Sequence, residues 1–360
     1  MNASAPVTAT AARPLPGSRT GWVDAAKGFT ITLVVAHHAL EGLKLAGLAN
    51  PTFLYWHDIL LSVRMPLFFL VAGLFARKAI YGDFRKFLDS KVFHFAYFYV
   101  LWSVISLLLR YAANPVSNNK VALTDILFIG WDPISTIWFL YGLALAFVIT
   151  RALRHMNPCF LVAFAAMVQA AAFAFPSVPY LVIINKFAYL YVYFVLGVYG
   201  SEWIREQADK ANYPKIIAAL VLFIALAVVL RLNDLLFTPL CYFVLSMLSA
   251  YAIIGFFSRA REGLFARLFE FIGAYSMPIY LTHFLPVAAA RIILVKVFGI
   301  TNFGVLFTAA TTAGVLFGVV AFLIAVRTPF RFVFVRPKAL TLDAPATLTG
   351  REQPSSVTAG

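Results

Sequence analysis

The stretch KGFTITLVVAHH carries an ammonium group at Lys27 and two imidazoles at His37 and His38, inside a run apolar enough to cross a bilayer. Ionisable groups in such a setting are costly and face a cavity or a partner. On a helix with Lys27 at zero, His38 falls at about 20° and Glu41 at about −40°. Asp24 falls near 60° and Thr30 near −60°, which makes one polar stripe, with His37 off to one side. Lys27 to His38 is a rise of about 16 Å. Lys27 is therefore expected near one membrane surface and His38 near mid-membrane or just past it. The alternative is that Lys27 snorkels to the interface and the histidines are satisfied by backbone or interfacial water; His37 reads as structural. For His38 and Glu41 the expectation is chemical: a carboxylate one turn away can fix an imidazole tautomer and raise its basicity.

Two further runs carry comparable groups. RMPLFFLVAGLFARK places Arg64 about a third of the way into a second span, with His57 seven residues earlier on the same face. A guanidinium cannot neutralise itself, so it needs a wet cavity or a partner, Glu41 being one possibility. Pro66 can open that helix locally, and Gly73 permits close packing. FIGAYSMPIYLTHF puts Ser276, Tyr280 and His283 on one face. His283 lies about 20 Å from the helix start near Phe271, which matches the depth of His38. Trp138 and Tyr141, and Lys186 with Tyr189 and Tyr193, read as interfacial belt residues and a snorkelling lysine.

These groups need a membrane scaffold. Of 360 residues, 62% are hydrophobic and 12% charged, against roughly a quarter charged in soluble domains. Apolar runs of spanning length predict an all-α bundle of ten helices at 25–47, 57–77, 92–112, 135–152, 159–176, 184–201, 213–231, 236–256, 269–294 and 303–326. Residues 1–20 and 339–360 read as flexible tails around a membrane domain at 21–338. No cleavable signal is expected. Lys and Arg crowd alternate connections, which places both termini in the cytoplasm. The net charge of +14 is thereby assigned to topology and not to nucleic acid. The outer connection 113–134 contains ALTDILFIGW, either a short interfacial helix or a loop. Cys159 and Cys241 are expected near opposite faces, with no disulfide and no metal site.

The same blocks resemble the acyltransferase-3 family of bacterial integral membrane O-acyltransferases. Lys27 through His38 is similar to its first-span pattern of a basic residue, ten residues and His. MPLFFLVAG is similar to its Pro-Leu-Phe-Phe block, with Ala72-Gly73 where the family has Ser-Gly. IWFLYGL and IGAYSMPIYLTHF resemble its later blocks, in family order across about 20–330, and Lys91 stands where an Arg is usual. The resemblance implies a multi-pass protein of the bacterial inner membrane. It also implies an acyl-coenzyme A donor, acetyl by default, and a hydroxyl acceptor on an envelope or exported glycan. Lys27 and Arg64 would then meet the donor. His38 would act as general base, oriented by Glu41, with Arg64 or His283 stabilising the oxyanion. The rival expectation is a proton-coupled transporter or flippase for a lipid-linked sugar, since proton relays use the same residue types. The sequence shows no inverted repeat and no paired broken helices, which counts against it. Oligomeric state is not legible.

Overall fold

The computed structural model describes residues 21–114, 120–130, 132–133, 136–175 and 182–342. The tail read at 1–20, residues 343–360 of the tail read at 339–360, and parts of the 113–134 connection lie outside the described residues. The described residues form a helical membrane bundle without strands. The first half contains α1 (Gly21–Leu45), α2 (Pro51–Leu74), α3 (Arg77–Tyr81), α4 (Phe84–Phe87), α5 (His94–Ala112), α6 (Trp138–Ala152), α7 (Pro158–Ala174) and α8 (Val182–Tyr199). The second half contains α9 (Ser201–Asp209), α10 (Tyr213–Leu232), α11 (Pro239–Arg259), α12 (Leu264–Ala274), α13 (Ser276–Thr282), α14 (Phe284–Lys296) and α15 (Phe303–Ala325).

Five of these stretches are long and apolar enough to cross a membrane, or up to seven if each of two bent pairs is one span. The ten expected spans therefore do not all meet that test. α1 is long enough, but Lys27, His37, His38 and Glu41 lower its hydropathy. α6 and α7 are apolar but short. The expected third span extends back to Phe84, through a π-helical turn at Leu88–Phe93.

The expected ninth span is not one helix. It breaks at Tyr275, and α13 and α14 meet at a 54° bend. Pro278 and Pro286 flank the bend, and each removes a backbone donor. The other bent pair, α8 and α9, turns by 76°. Its second arm, SEWIREQAD, is polar, so it leaves the apolar layer. Among the described residues α13/α14 is the bent pair with both arms apolar.

Close approach of backbones sets the helix positions. A Cβ on Gly28 would lie 1.9 Å from the Phe269 carbonyl oxygen, and one on Gly273 would lie 1.8 Å from that of Asp24. Small residues of this kind allow membrane helices to pack by backbone contact, and here they seat α1 on α12. Gly73 does the same for α2 against α8, where its Cβ would meet the Phe194 oxygen at 2.3 Å.

The chain after α15 returns along α5. The Tyr97 hydroxyl donates to the Phe332 carbonyl at 2.9 Å, and the Trp102 indole to that of Val333 at 2.8 Å. Arg336 pairs with Asp89 at 2.5 Å, and the Leu342 amide donates to the same carboxylate at 2.8 Å. Residues 339–342, expected to begin a flexible tail, are therefore docked. The 122–130 segment forms a 3-10 turn at Leu123–Phe128, where the Asp125 carboxylate accepts from the Ala122 amide at 3.0 Å. Cys159 and Cys241 are both free.

Candidate active site

His283 occupies the hinge between α13 and α14. Helix ends leave carbonyls without intrahelical partners, and buried ones need a substitute donor. The His283 Nδ1 supplies it, lying 2.8 Å from the Tyr280 carbonyl oxygen and 3.2 Å from that of Ile279. A carbonyl only accepts, so Nδ1 carries the proton, and in the neutral ring Nε2 bears the lone pair. The ring is fully buried, and Nε2 has no hydrogen-bond partner among the described residues.

The His38 ring faces this group, with centroids 5.1 Å apart. The matched depth expected for the two histidines is what the fold produces. His38 is half-buried. The packing that brings them together runs through α15. A Cβ on Gly314 would meet Val35 of α1 at 2.5 Å and Val287 of α14 at 2.8 Å. Tyr280, one turn before His283, donates from its hydroxyl to the Thr136 carbonyl at 2.6 Å and accepts from the Phe139 amide at 3.1 Å. It thus fastens α13 to the start of α6.

Arg64 is buried within α2, and its Nε donates to the Leu60 carbonyl at 3.2 Å. The Tyr242 hydroxyl reaches from α11 to the Leu61 carbonyl at 2.8 Å, one turn from Pro66. Lys186 sits 5.1 Å from the Trp138 ring centroid, so two of the residues read as belt residues pair with each other. Tyr193 is no belt residue. It is fully buried, donating to Ser246 at 3.1 Å and accepting from Gln169 at 3.1 Å.

Glu41 takes a different partner from the expected one. Its carboxylate lies 3.4 Å from His57 Nε2 and 4.0 Å from Lys44 Nζ, so it serves the second span's histidine instead of orienting His38. The possible Arg64–Glu41 ion pair does not form among the described residues. His37, expected to be structural, meets His57 at 2.5 Å. Sequence reasoning placed His57 on the Arg64 face, but the mutual rotation of two helices is not written in either one. Lys27 lies at the other end of α1, a third exposed, with its ammonium 2.6 Å from Asp24.

These groups lie within a single matched region. The family model described as an acyltransferase domain matches residues 20–326. The chain belongs to the acyltransferase-3 family. No curated protein and no solved structure matches it. As a member of this family the chain is a membrane acyltransferase. Its expected site residues do not all converge. His38 and His283 meet at the α13/α14 hinge and Arg64 is buried in α2, whereas Glu41 belongs to the His37–His57 pair and Lys27 to the far end of α1.

Proposed function

We propose that this acyltransferase moves an acyl group, acetyl by default, from acyl-coenzyme A to a hydroxyl of a cell-envelope or exported glycan at the bacterial inner membrane. One observation carries the reading: two imidazoles, one with an unpartnered buried nitrogen, face each other at 5.1 Å, and α2, which packs on α1, buries a guanidinium at Arg64. Acyl transfer to a hydroxyl needs a proton acceptor and a cation for the developing oxyanion.

In this mechanism His38 takes the acceptor proton as the oxygen attacks the thioester carbonyl. The tetrahedral oxyanion collapses, the C–S bond breaks, and the proton passes to the departing thiolate. Arg64 stabilises the oxyanion. His283 is poorly suited to that part, because its single proton is already committed to Tyr280. Its lone pair at Nε2 is instead a second proton acceptor beside His38. Lys27 receives the coenzyme's phosphates in exchange for Asp24. The rise of about 16 Å along α1 is close to the reach of a pantetheine arm, about 15 Å by covalent bond lengths. Both ends of KGFTITLVVAHH thus meet the two ends of one donor.

The broken α13/α14 span gives the transporter reading its one supporting observation, since broken helices also line transport sites. One experiment separates the two. Protein purified into lipid nanodiscs is given acetyl-coenzyme A and a panel of glycan acceptors. Free thiol release and the acceptor's acetyl mass increment are then followed. Acceptor-dependent release is expected; transport of a lipid-linked sugar without thiol release would overturn the reading.

A further inference from the structure

His37 and His57 join α1 to α2 about two turns in from the 46–50 connection. His37 Nδ1 and His57 Nε2 are 2.5 Å apart, with ring centroids at 4.6 Å and planes 16° from parallel. Two imidazoles meeting head-on at such a separation have centroids about 4.8 Å apart by ring bond lengths. The contact is therefore nearly head-on, and one of the two nitrogens must carry a proton for it to form. The other nitrogen of His57 lies 3.3 Å from Asp58, which is held at 3.1 Å by Arg231 of α10. Glu41 stands 3.4 Å from His57 Nε2. The His37 ring also lies against that of His38, with centroids 4.6 Å apart.

This set resembles a two-histidine, one-carboxylate cation site, and His37, Glu41 and His57 do converge. The geometry opposes it. Two nitrogens on one zinc ion at ordinary bond lengths lie about 3.3 Å apart with diverging axes, not head-on at 2.5 Å.

We propose that Asp58, His57 and His37 form a relay that holds, beside His38, the proton taken from the acceptor hydroxyl until the thiolate claims it. This rests on His38 acting as the base. Asp58 accepts from His57 Nδ1–H, which leaves Nε2 to accept from His37 Nδ1–H and leaves His37 Nε2 with its lone pair. A proton arriving at His37 Nε2 makes an N–H bond there, breaks the Nδ1–H bond and makes an Nε2–H bond on His57, next to Glu41. The reverse sequence returns it, so the relay neither gains nor loses a proton over a turnover. The acceptor hydroxyl, or a water in its place, would carry the proton between the His38 and His37 nitrogens. The charged and titratable groups facing the His37–His57 pair are His38, Glu41 and Lys44 on α1, Asp58 and Arg64 on α2, Arg231 on α10 and His283 at the α13/α14 hinge. Arg291 of α14 lies against Gly42, beside Glu41.

The test is nitrogen-15 NMR of histidine-labelled full-length protein in nanodiscs, where six histidines give a tractable spectrum. A strongly downfield proton correlated to both His37 Nδ1 and His57 Nε2 is expected. His57→Asn should abolish it. Asp58→Asn, which keeps both rings, should scramble the His37 tautomer and change the pH–rate profile at unaltered KM for acetyl-coenzyme A. Two uncorrelated rings in the wild type, or an unaltered His37 tautomer and pH–rate profile in Asp58→Asn, would overturn the relay. So would a stoichiometric divalent metal whose removal by chelator restructures these signals. Thiol release is read on the same sample. Correlated nitrogens without release defeat the transfer reading but support proton sharing, whereas release with uncorrelated nitrogens defeats only the relay.

Discussion

His283 shows how much one side chain can decide. It closes a broken helix through Nδ1 and thereby fixes which nitrogen is available for chemistry. His283→Ala removes both the cap and the acceptor, and His283→Gln retains a polar side chain while removing the imidazole base. Under the proposed mechanism His38→Ala lowers acyl transfer by about 10²–10⁴-fold, the range for a positioned general base, while the protein still inserts and elutes as a single species. Arg64→Lys keeps the charge but loses the planar fork. It is expected to lower turnover by about 10²-fold as oxyanion stabilisation weakens, with KM for the donor little changed; initial-rate kinetics checks both. The residue types were legible in the sequence. Lys27, His38, Arg64 and His283 stand out because lipid makes ionisable groups expensive. Their partners were not legible: Glu41 turned to His57, because three or four residues along one helix do not determine what the neighbouring helix presents.

At the scale of elements, the site depends on where α13 breaks and how tightly α1 is seated. The break was foreshadowed by Pro278 and by the second proline at 286, but apolar composition alone read straight through it. Tyr280 ties α13 to α6 by two hydrogen bonds. Tyr280→Phe is expected to cost about 1–3 kcal/mol, the range for leaving buried backbone groups unsatisfied, seen as a lower midpoint in thermal unfolding followed in detergent. Gly28→Ala would drive a methyl into the Phe269 carbonyl at 1.9 Å and force α1 off α12. Gly130→Ala meets nothing within 4 Å. Gly28→Ala should lose both folded yield and activity, and Gly130→Ala should behave as wild type.

On the scale of the whole molecule, hydropathy gave the class correctly and the number of crossings only in part. Runs interrupted by polar groups, such as α1, and short helices, such as α6 and α7, fall between a span and a buried helix when composition is the sole guide. Charge asymmetry carries separate information, and it predicts that both termini and the α8–α9 elbow face the cytoplasm while Lys120 faces out. A cysteine replacing Lys120 in a Cys159→Ser, Cys241→Ser background should react with a membrane-impermeant maleimide on intact spheroplasts, and one replacing Glu206 should react only after lysis. The reverse pattern would place the proposed donor end of α1 on the wrong side for coenzyme A. The most direct test of the central claim, that the paired His38 and His283 with Arg64 carry acyl transfer, is a single-turnover reaction in nanodiscs with acetyl-labelled coenzyme A and extracted envelope glycan, comparing wild type with His38→Ala. The account predicts label on the glycan from the wild type and its loss by at least about 10²-fold in the variant. Equal labelling by the two proteins would contradict it.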